Sequence, residues 1–438
     1  MKNGLILVCA FLFTCASVGS QIGSVDPTFS SSIDGPAWAI ALQADGRILV
    51  GGQFLAANGE QHHSIVRLET NGVVDRTFTA SVDSQVWAIA VQDDGQILIG
   101  GRFFTVNGTN RNCLARLNPD GGLDLAFDAG SLGDQFVFAI VPLPGGQALI
   151  GGEFTHVGGI SRNGIARINP NGSVDVFFDP GLGANPVRSI AVQADGHIMI
   201  GGSFATVDGH PPGSIARLLA TGELDPSFTA PSIGPVLSVA IQQDGRAVIG
   251  GLFTQVDSTN RNGVARLTSE GRLDLSFDPG AGANTRGGLS VWTVKLQQNG
   301  DVLLAGAFST IDGVPRPGLA RLKPTGTLDS DFIPQLPEGT QFVPMALDAS
   351  GNVLVGGLIR IINVPNTIAP ATLSAATYLG LSIDGTPGGR YRIEYNEQSA
   401  LGGWRFLTNV VLPSVPFLWI DLESTNVPRR MYRAIAAP

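Results

Sequence analysis

Short apolar runs separated by glycine-containing turns occupy most of this chain. One stretch shows the pattern fully. VWAIAVQ (Val86–Gln92) alternates large and small side chains, and an Asp-Asp-Gly turn then leads into QILIGGRFF (Gln96–Phe104). CLARLN (Cys113–Asn118) follows, and Asn-Pro-Asp-Gly-Gly connects it to LDLAF (Leu123–Phe127). Strand-length runs bounded by Asp-Gly predict hairpins, because glycine supplies the positive φ that tight turns require. No segment keeps a helical period. The unit reads as a meander of four strands, here called a, b, c and d.

The unit repeats. The tag (L/V)DxxF recurs at Asp26, Asp75, Asp124, Asp175, Asp225, Asp274 and Asp329, at intervals of 49, 49, 51, 50, 49 and 55 residues. A period near 50 belongs to propeller blades rather than helical solenoids. A lone meander exposes two apolar faces, whereas a radial array buries both and leaves only short edges. Segment b carries Gly51-Gly52, Gly100-Gly101, Gly151-Gly152, Gly201-Gly202, Gly250-Gly251, Ala305-Gly306 and Gly356-Gly357. Glycine inside a strand weakens it unless another chain must approach closely. No GxxxxGK(S/T) or GxGxxG follows a strand to support a phosphate-binding alternative.

The combined pattern of Q-x-D-G, I-x-I-G-G-x-F, I-A-R-L and L-D-x-x-F resembles the delta-60 repeat of exported bacterial proteins. The resemblance covers Asp26 to Leu373 and implies a β-propeller; it brings no catalytic residues. Kelch repeats share the diglycine and the period, but their Tyr and Trp pair is absent.

Seven a–b hairpins are expected, with an offset. A lone d segment, Val25–Phe29, precedes the first a segment. The last unit offers a (Phe342–Asp348), b (Asn352–Ile359) and a degraded c near Thr367–Leu373, with no d. The N-terminal strand is therefore expected to complete the last blade. The expected fold is an all-β, seven-bladed propeller of four-stranded blades over residues 21–373. Residues 374–438 lack the repeat. YLGLSI, RYRIEYN, WRFLTNVV, FLWIDL and RMYRAI alternate apolar and polar positions, which predicts a small β-sandwich. It resembles the immunoglobulin- and fibronectin-like modules that end many exported bacterial proteins.

Residues 1–20 read as a secretory signal. Lys2 is followed by the apolar GLILVCAFLF (Gly4–Phe13) and a small-residue stretch, with cleavage expected after Ser20. Cys15 offers a lipoprotein acceptor as the alternative. Cys113 alone survives cleavage, so the mature chain holds no internal disulfide and stability rests on packing. The net charge of −9, without a basic stripe, argues against nucleic acid and anionic membrane surfaces. No later apolar run is long enough to span a bilayer.

Recurrent charges read as structural. Arg67, Arg116, Arg167, Arg217, Arg266 and Arg321 each precede an aspartate by eight residues: Asp75, Asp124, Asp175, Asp225, Asp274 and Asp329. Adjacent c and d strands would let each guanidinium meet its carboxylate. For the last unit, Pro370 falls where the arginine would be, so Asp26 is expected to lack such a partner. The histidines, His62, His63, His156, His197 and His210, occupy unrelated repeat positions without ligand spacing. The Asp-Gly turns at Asp45, Asp94, Asp195 and Asp244 lack a calcium-loop ladder. No metal or cofactor is called for. Cys113 occupies a slot that holds Ser64, Gly164, Ser214, Gly263 or Gly318 in other units, which suits a small residue at a blade contact.

The variable connections, such as Asp179–Arg188 and Asp278–Gly288, lie on the b–c/d–a face, the expected binding surface. The position opening each a strand holds Trp38, Trp87, Phe138, Arg188, Leu237, Trp292 and Pro344 in turn. Of these, Trp38, Trp87, Phe138, Arg188 and Trp292 are the candidate ligand contacts, since aromatic faces suit sugar rings or partner side chains. Burial between blades as core is the competing reading. The function expected is a monomeric, exported, non-enzymatic scaffold binding a protein or glycan. The alternative is an extracellular carbohydrate-active enzyme with carboxylates at the propeller channel.

Overall fold

The computed structural model describes residues 22–133, 135–181, 183–209, 213–284, 291–336, 344–356 and 359–363, together with the backbone of five C-terminal strands. Contacts divide the chain into a large unit, Ser20–Pro365, and a second that includes Asn366–Pro438. Apart from a single 3-10 turn at Pro144–Gly146, every regular element among the described residues is a strand.

Within the large unit the a, b and c segments form three-stranded antiparallel sheets. In the second sheet, Gln85–Val91 pairs with Ile97–Arg102, which pairs with Leu114–Leu117. The same order recurs in seven such sheets, from Ala37–Leu42 through Met345–Leu347. Segment d touches its sheet through one bridge, as Leu117↔Leu123 and Leu267↔Leu273 show. The a strand of each sheet contacts that of the next, and Met345–Leu347 contacts both Val291–Leu296 and Ala37–Leu42. The a strands thus close a ring, the arrangement of a β-propeller.

The core lies between sheets rather than inside any one of them. Leu49 and Ile65 of the first sheet pack with Val86, Ile97, Ile99 and Leu117 of the second, and comparable clusters fill the other junctions. The Phe of each GGxF and LDxxF tag enters these junctions; Phe103, Phe154, Phe178 and Phe277 are fully buried. Full burial of such a side chain contributes roughly 1.5–3 kcal/mol.

Each diglycine has two separate causes. A Cβ on Gly100 would stand 2.6 Å from Val137 Cγ1 of the following sheet. A Cβ on Gly101 would run into the Gln85 carbonyl oxygen of its own a strand. The first glycine permits sheet-on-sheet approach, and the second permits a β-bulge.

The last sheet corrects the sequence reading. Its b strand ends at Val355, and its c strand is Ile359–Ile361, reached almost at once. The long b–c excursion of earlier units is missing here, which misaligned the reading by several residues. Thr367–Leu373 lies outside the described residues. Val25 instead bridges Ile361, and Asp26 N donates to Arg360 O at 2.8 Å.

The b–c connections are more regular than expected. Several fold into two-residue hairpins, such as Thr105–Val106 with Thr109–Asn110 and Gln255–Val256 with Thr259–Asn260. The d–a connections dock onto them through the Val82↔Val106 and Ile233↔Val256 bridges. Variation on this face is therefore concentrated in the d–a segments.

In the C-terminal unit, Leu379–Ile383 pairs with Phe417–Asp421. Arg390–Asn396 lies between Arg405–Val411 and Met431–Ala436 in a second sheet.

Candidate binding cavity at the ring axis

Six of the seven a strands carry the same irregularity. Ala37 pairs with Gly52 and Ala39 with Gly51, so Trp38 is left as the extra residue of a bulge. The same break isolates Trp87, Phe138, Arg188, Leu237 and Trp292. A bulge bends its strand and re-aims the unpaired side chain. Here all six side chains line one cavity of about 490 Å³.

Pro344 lines the cavity too, but in another role. Met345 pairs with Val355 as Ile40 pairs with Val50, which makes Pro344 the counterpart of Ala39 rather than of Trp38. The counterpart of Trp38, position 343, lies outside the described residues.

The tryptophans are neither fully buried core nor free surface: Trp38, Trp87 and Trp292 are all partly buried. On one side of the ring the aromatics form an arc. Trp38 and Trp87 have ring centroids 5.0 Å apart at 46°, and Trp87 and Phe138 are 5.0 Å apart at 48°. Phe136 stacks on Phe138 at 5.6 Å. Trp87 Nε1 donates to Gln85 Oε1 at 3.0 Å, so its ring is held in place. The Arg188 guanidinium lies 3.8 Å from the Phe138 centroid and ends the arc on a cation–π contact.

The sequence reading missed Lys295. Its register position is filled by Ala41, Ala90, Val141, Ala191 and Ala240 in other a strands. A lysine in that alanine column was the available signal. Lys295 lines the cavity, and its surface is open to cavity space although protein atoms crowd around it. Desolvation pushes its ammonium below the usual lysine range. Burial also lowers Arg188, against an opposing pull from Glu153. Among the described lining residues there is no Asp or Glu, so the lining supplies no pair of acids for glycoside hydrolysis.

The recurrent Arg and Asp residues lie elsewhere, at the c–d edge of each sheet. Nε to Oδ2 distances are 2.7 Å for Arg67–Asp75, 2.8 Å for Arg116–Asp124 and 2.8 Å for Arg167–Asp175. They are 2.6 Å for Arg217–Asp225, 2.7 Å for Arg266–Asp274 and 2.6 Å for Arg321–Asp329. Each guanidinium also covers the Phe of its own tag, as Arg266 covers Phe277 at 4.9 Å. Most reach a carbonyl in the next unit: Arg167 Nη1 donates to Ala220 O at 2.9 Å, and Arg266 Nη1 to Pro324 O at 2.8 Å.

Asp26 was expected to lack a partner, and it has one. Arg360 Nε donates to Asp26 Oδ2 at 2.7 Å, covers Phe29 at 5.2 Å and reaches Thr70 O at 2.9 Å. The arginine sits on the short c strand that the sequence reading placed too late.

Six of these carboxylates are lowered by their partners. Burial raises Asp274, but the Ser276 hydroxyl and N–H and the Arg266 guanidinium outweigh it and bring it down to about 2. Asp26, Asp75, Asp175, Asp225 and Asp329 are lowered under the same opposition between burial and hydrogen bonding.

Cys113 is buried at φ 64°, and its thiol donates to Gln135 O at 2.9 Å. Ser64 and Ser214 share that left-handed conformation, as do Gly164, Gly263 and Gly318, so the slot is constrained by backbone as well as by size. Among the described residues no cluster of His, Cys, Asp or Glu could hold a metal ion, and no helix is long and apolar enough to cross a membrane.

Six segments, 43–78, 92–127, 146–178, 193–228, 242–277 and 297–332, match a family model described as a domain of unknown function (DUF5122) β-propeller. No curated protein matches the chain. The chain is also similar to two solved structures of the BT4673 extracellular domain from B. thetaiotaomicron. One, described as part of a one-component system, is 14% identical, with a TM-score of 0.45, over 78% of this chain and 40% of that one. The other, described as part of a hybrid two-component system, is 11% identical, with a TM-score of 0.47, over 99% of this chain and 59% of that one. The chain thus spans less than two thirds of either.

Proposed function

We propose that this β-propeller repeat protein is an exported, non-catalytic scaffold that binds a glycan or protein partner at the cavity on its ring axis. The observation that carries the reading is convergence. Six bulges in six sheets turn Trp38, Trp87, Phe138, Arg188, Leu237 and Trp292 into one space. Packing needs no such convergence, because the sheet junctions are filled by other residues. The volume falls within the roughly 300–1,000 Å³ usual for ligand sites.

The scaffold is a seven-bladed ring of four-stranded blades, with Val25–Phe29 as the outer strand of the last blade. The C-terminal strands form a small β-sandwich. Residues 1–20 are a signal peptide cleaved after Ser20. The alternative of a carbohydrate-active enzyme needs two facing carboxylates, and the described cavity lining offers none.

Trp87→Ala tests the reading. A binding platform loses partner affinity while the melting temperature moves little. A wedge in the core instead loses roughly 3–5 kcal/mol, and that result would overturn the assignment.

A further inference from the structure

The cavity holds two cations and, among its described lining residues, no acid to balance them. Arg188 and Lys295 come from different sheets and form no ion pair within 4 Å among the described residues; the Arg188 guanidinium packs on the Phe138 ring, and Glu153 acts on it from beyond the lining. The chain as a whole is acidic, with a net charge of −9. Two positive charges on a lining whose described residues include no acid run against that composition. Cations crowded by protein atoms and without an ion pair within 4 Å gain free energy from an incoming anion. The arc of rings that Arg188 ends is tilted by 46° and 48° between neighbours, not a parallel slot for a flat aromatic guest. A tilted arc presents successive ring faces to the C–H faces of successive sugar rings. Ser189 Oγ accepts the Val239 N–H at 3.0 Å and keeps its own proton to donate to a hydroxyl.

Resting on the binding role proposed above, we infer that the ligand is an anionic oligosaccharide, its sugar rings on Trp38, Trp87 and Phe138 and its carboxylate or sulfate between Arg188 and Lys295. Arg188 offers a planar fork to the anion and Lys295 a point charge.

The test is calorimetric titration of the mature chain with glucuronate and galacturonate oligosaccharides, their sulfated neutral-sugar counterparts and the uncharged glucose and galactose oligosaccharides. An anionic series is expected to bind about tenfold or more tightly than the uncharged one, a difference of about 1.4 kcal/mol. Carboxylated and sulfated members separate the two sources of charge. Arg188→Gln and Lys295→Met should each remove most of that preference, weakening the anionic series much more than the uncharged one. Trp87→Leu should weaken both series together. A melting measurement guards against misfolding: Lys295→Met removes a charge that has no ion pair within 4 Å among the described residues and should melt no lower than the parent.

Equal affinity for charged and uncharged sugars, or an anionic preference untouched by Arg188→Gln and Lys295→Met, would overturn the inference while leaving the cavity as a saccharide site. Binding of acidic peptides instead, still dependent on Trp87, would overturn the sugar and keep the cavity. Ligand binding that ignores Trp38, Trp87 and Trp292 altogether would overturn the broader role, and this inference with it.

Discussion

One arginine per unit does three things at once, and losing it is more costly than its exposure alone suggests. Arg266 pairs with Asp274, covers Phe277 and reaches Pro324 O in the next unit, with both partners of the pair nearly buried. Removing one member of a buried pair strands the other. Arg266→Met should therefore cost about 3–5 kcal/mol in urea denaturation. The double variant Arg266→Met/Asp274→Leu should recover part of that loss. The same carboxylates set the acid limit. Asp26, Asp75, Asp175, Asp225 and Asp329 lie below the ordinary 3.8 when folded, with Asp274 at about 2. A depressed carboxylate contributes stability that is present above its unfolded value and is lost as pH falls through the folded one. The melting temperature should be level above about pH 5 and fall between about pH 4 and pH 2. A melting temperature unchanged down to pH 2 would contradict the assignment.

Within each element, the spacing between sheets is set by what the b strand lacks. Gly100 has no Cβ because Val137 of the neighbouring sheet fills the space. Gly100→Ala should lower stability by roughly 1–3 kcal/mol through overpacking. The sixth sheet already carries Ala305 at the equivalent place, buried and packed against the last sheet, so Ala305→Gly should be tolerated better. The same logic applies to the closing strand. Gly23, Val25 and Asp26 hydrogen-bond or bridge to Ile362, Ile361 and Arg360. Deleting residues 21–30 from the mature chain should lower its melting temperature clearly, because it strands the Arg360 guanidinium and opens an unpaired edge. Replacing Pro370, which the sequence spacing puts in the arginine's place, should leave the melting temperature of the parent unchanged.

For the molecule as a whole, the repeat builds a rigid ring, and departures from the repeat build its chemistry. All seven sheets share the Arg–Asp pair and most share Gly-Gly and Asp-Gly, which answer for closure and packing. Arg188 and Lys295 each break a column of aromatic or small residues, and both breaks fall on the cavity lining. Saturating ligand should raise the melting temperature of the parent through mass action and raise that of Trp87→Ala much less. A scanning calorimetry series at increasing ligand concentration measures this directly.

Much of this was legible without coordinates. Apolar runs between Asp-Gly turns are local signals, and a tag recurring about every 50 residues dictates the unit and its repetition, because each turn needs its glycine wherever it occurs. The constant eight-residue interval placed Arg beside Asp, since the two flank one tight turn. What the chain order concealed was contact across long separation. Arg360 and Asp26 lie 334 residues apart, and a shortened connection hid the strand that brings them together. The bulges were equally invisible, because an extra residue in a strand is defined by its partner strand and not by its own side chain. Only the closed ring gathers six bulged residues and Lys295 around one space, and only there does a lysine among alanines become a charge on a cavity lining. Local sequence thus decided the repeating strand and turn, which depend on neighbouring residues. The tertiary structure decided closure and the site, which depend on residues that meet only once the ring has formed.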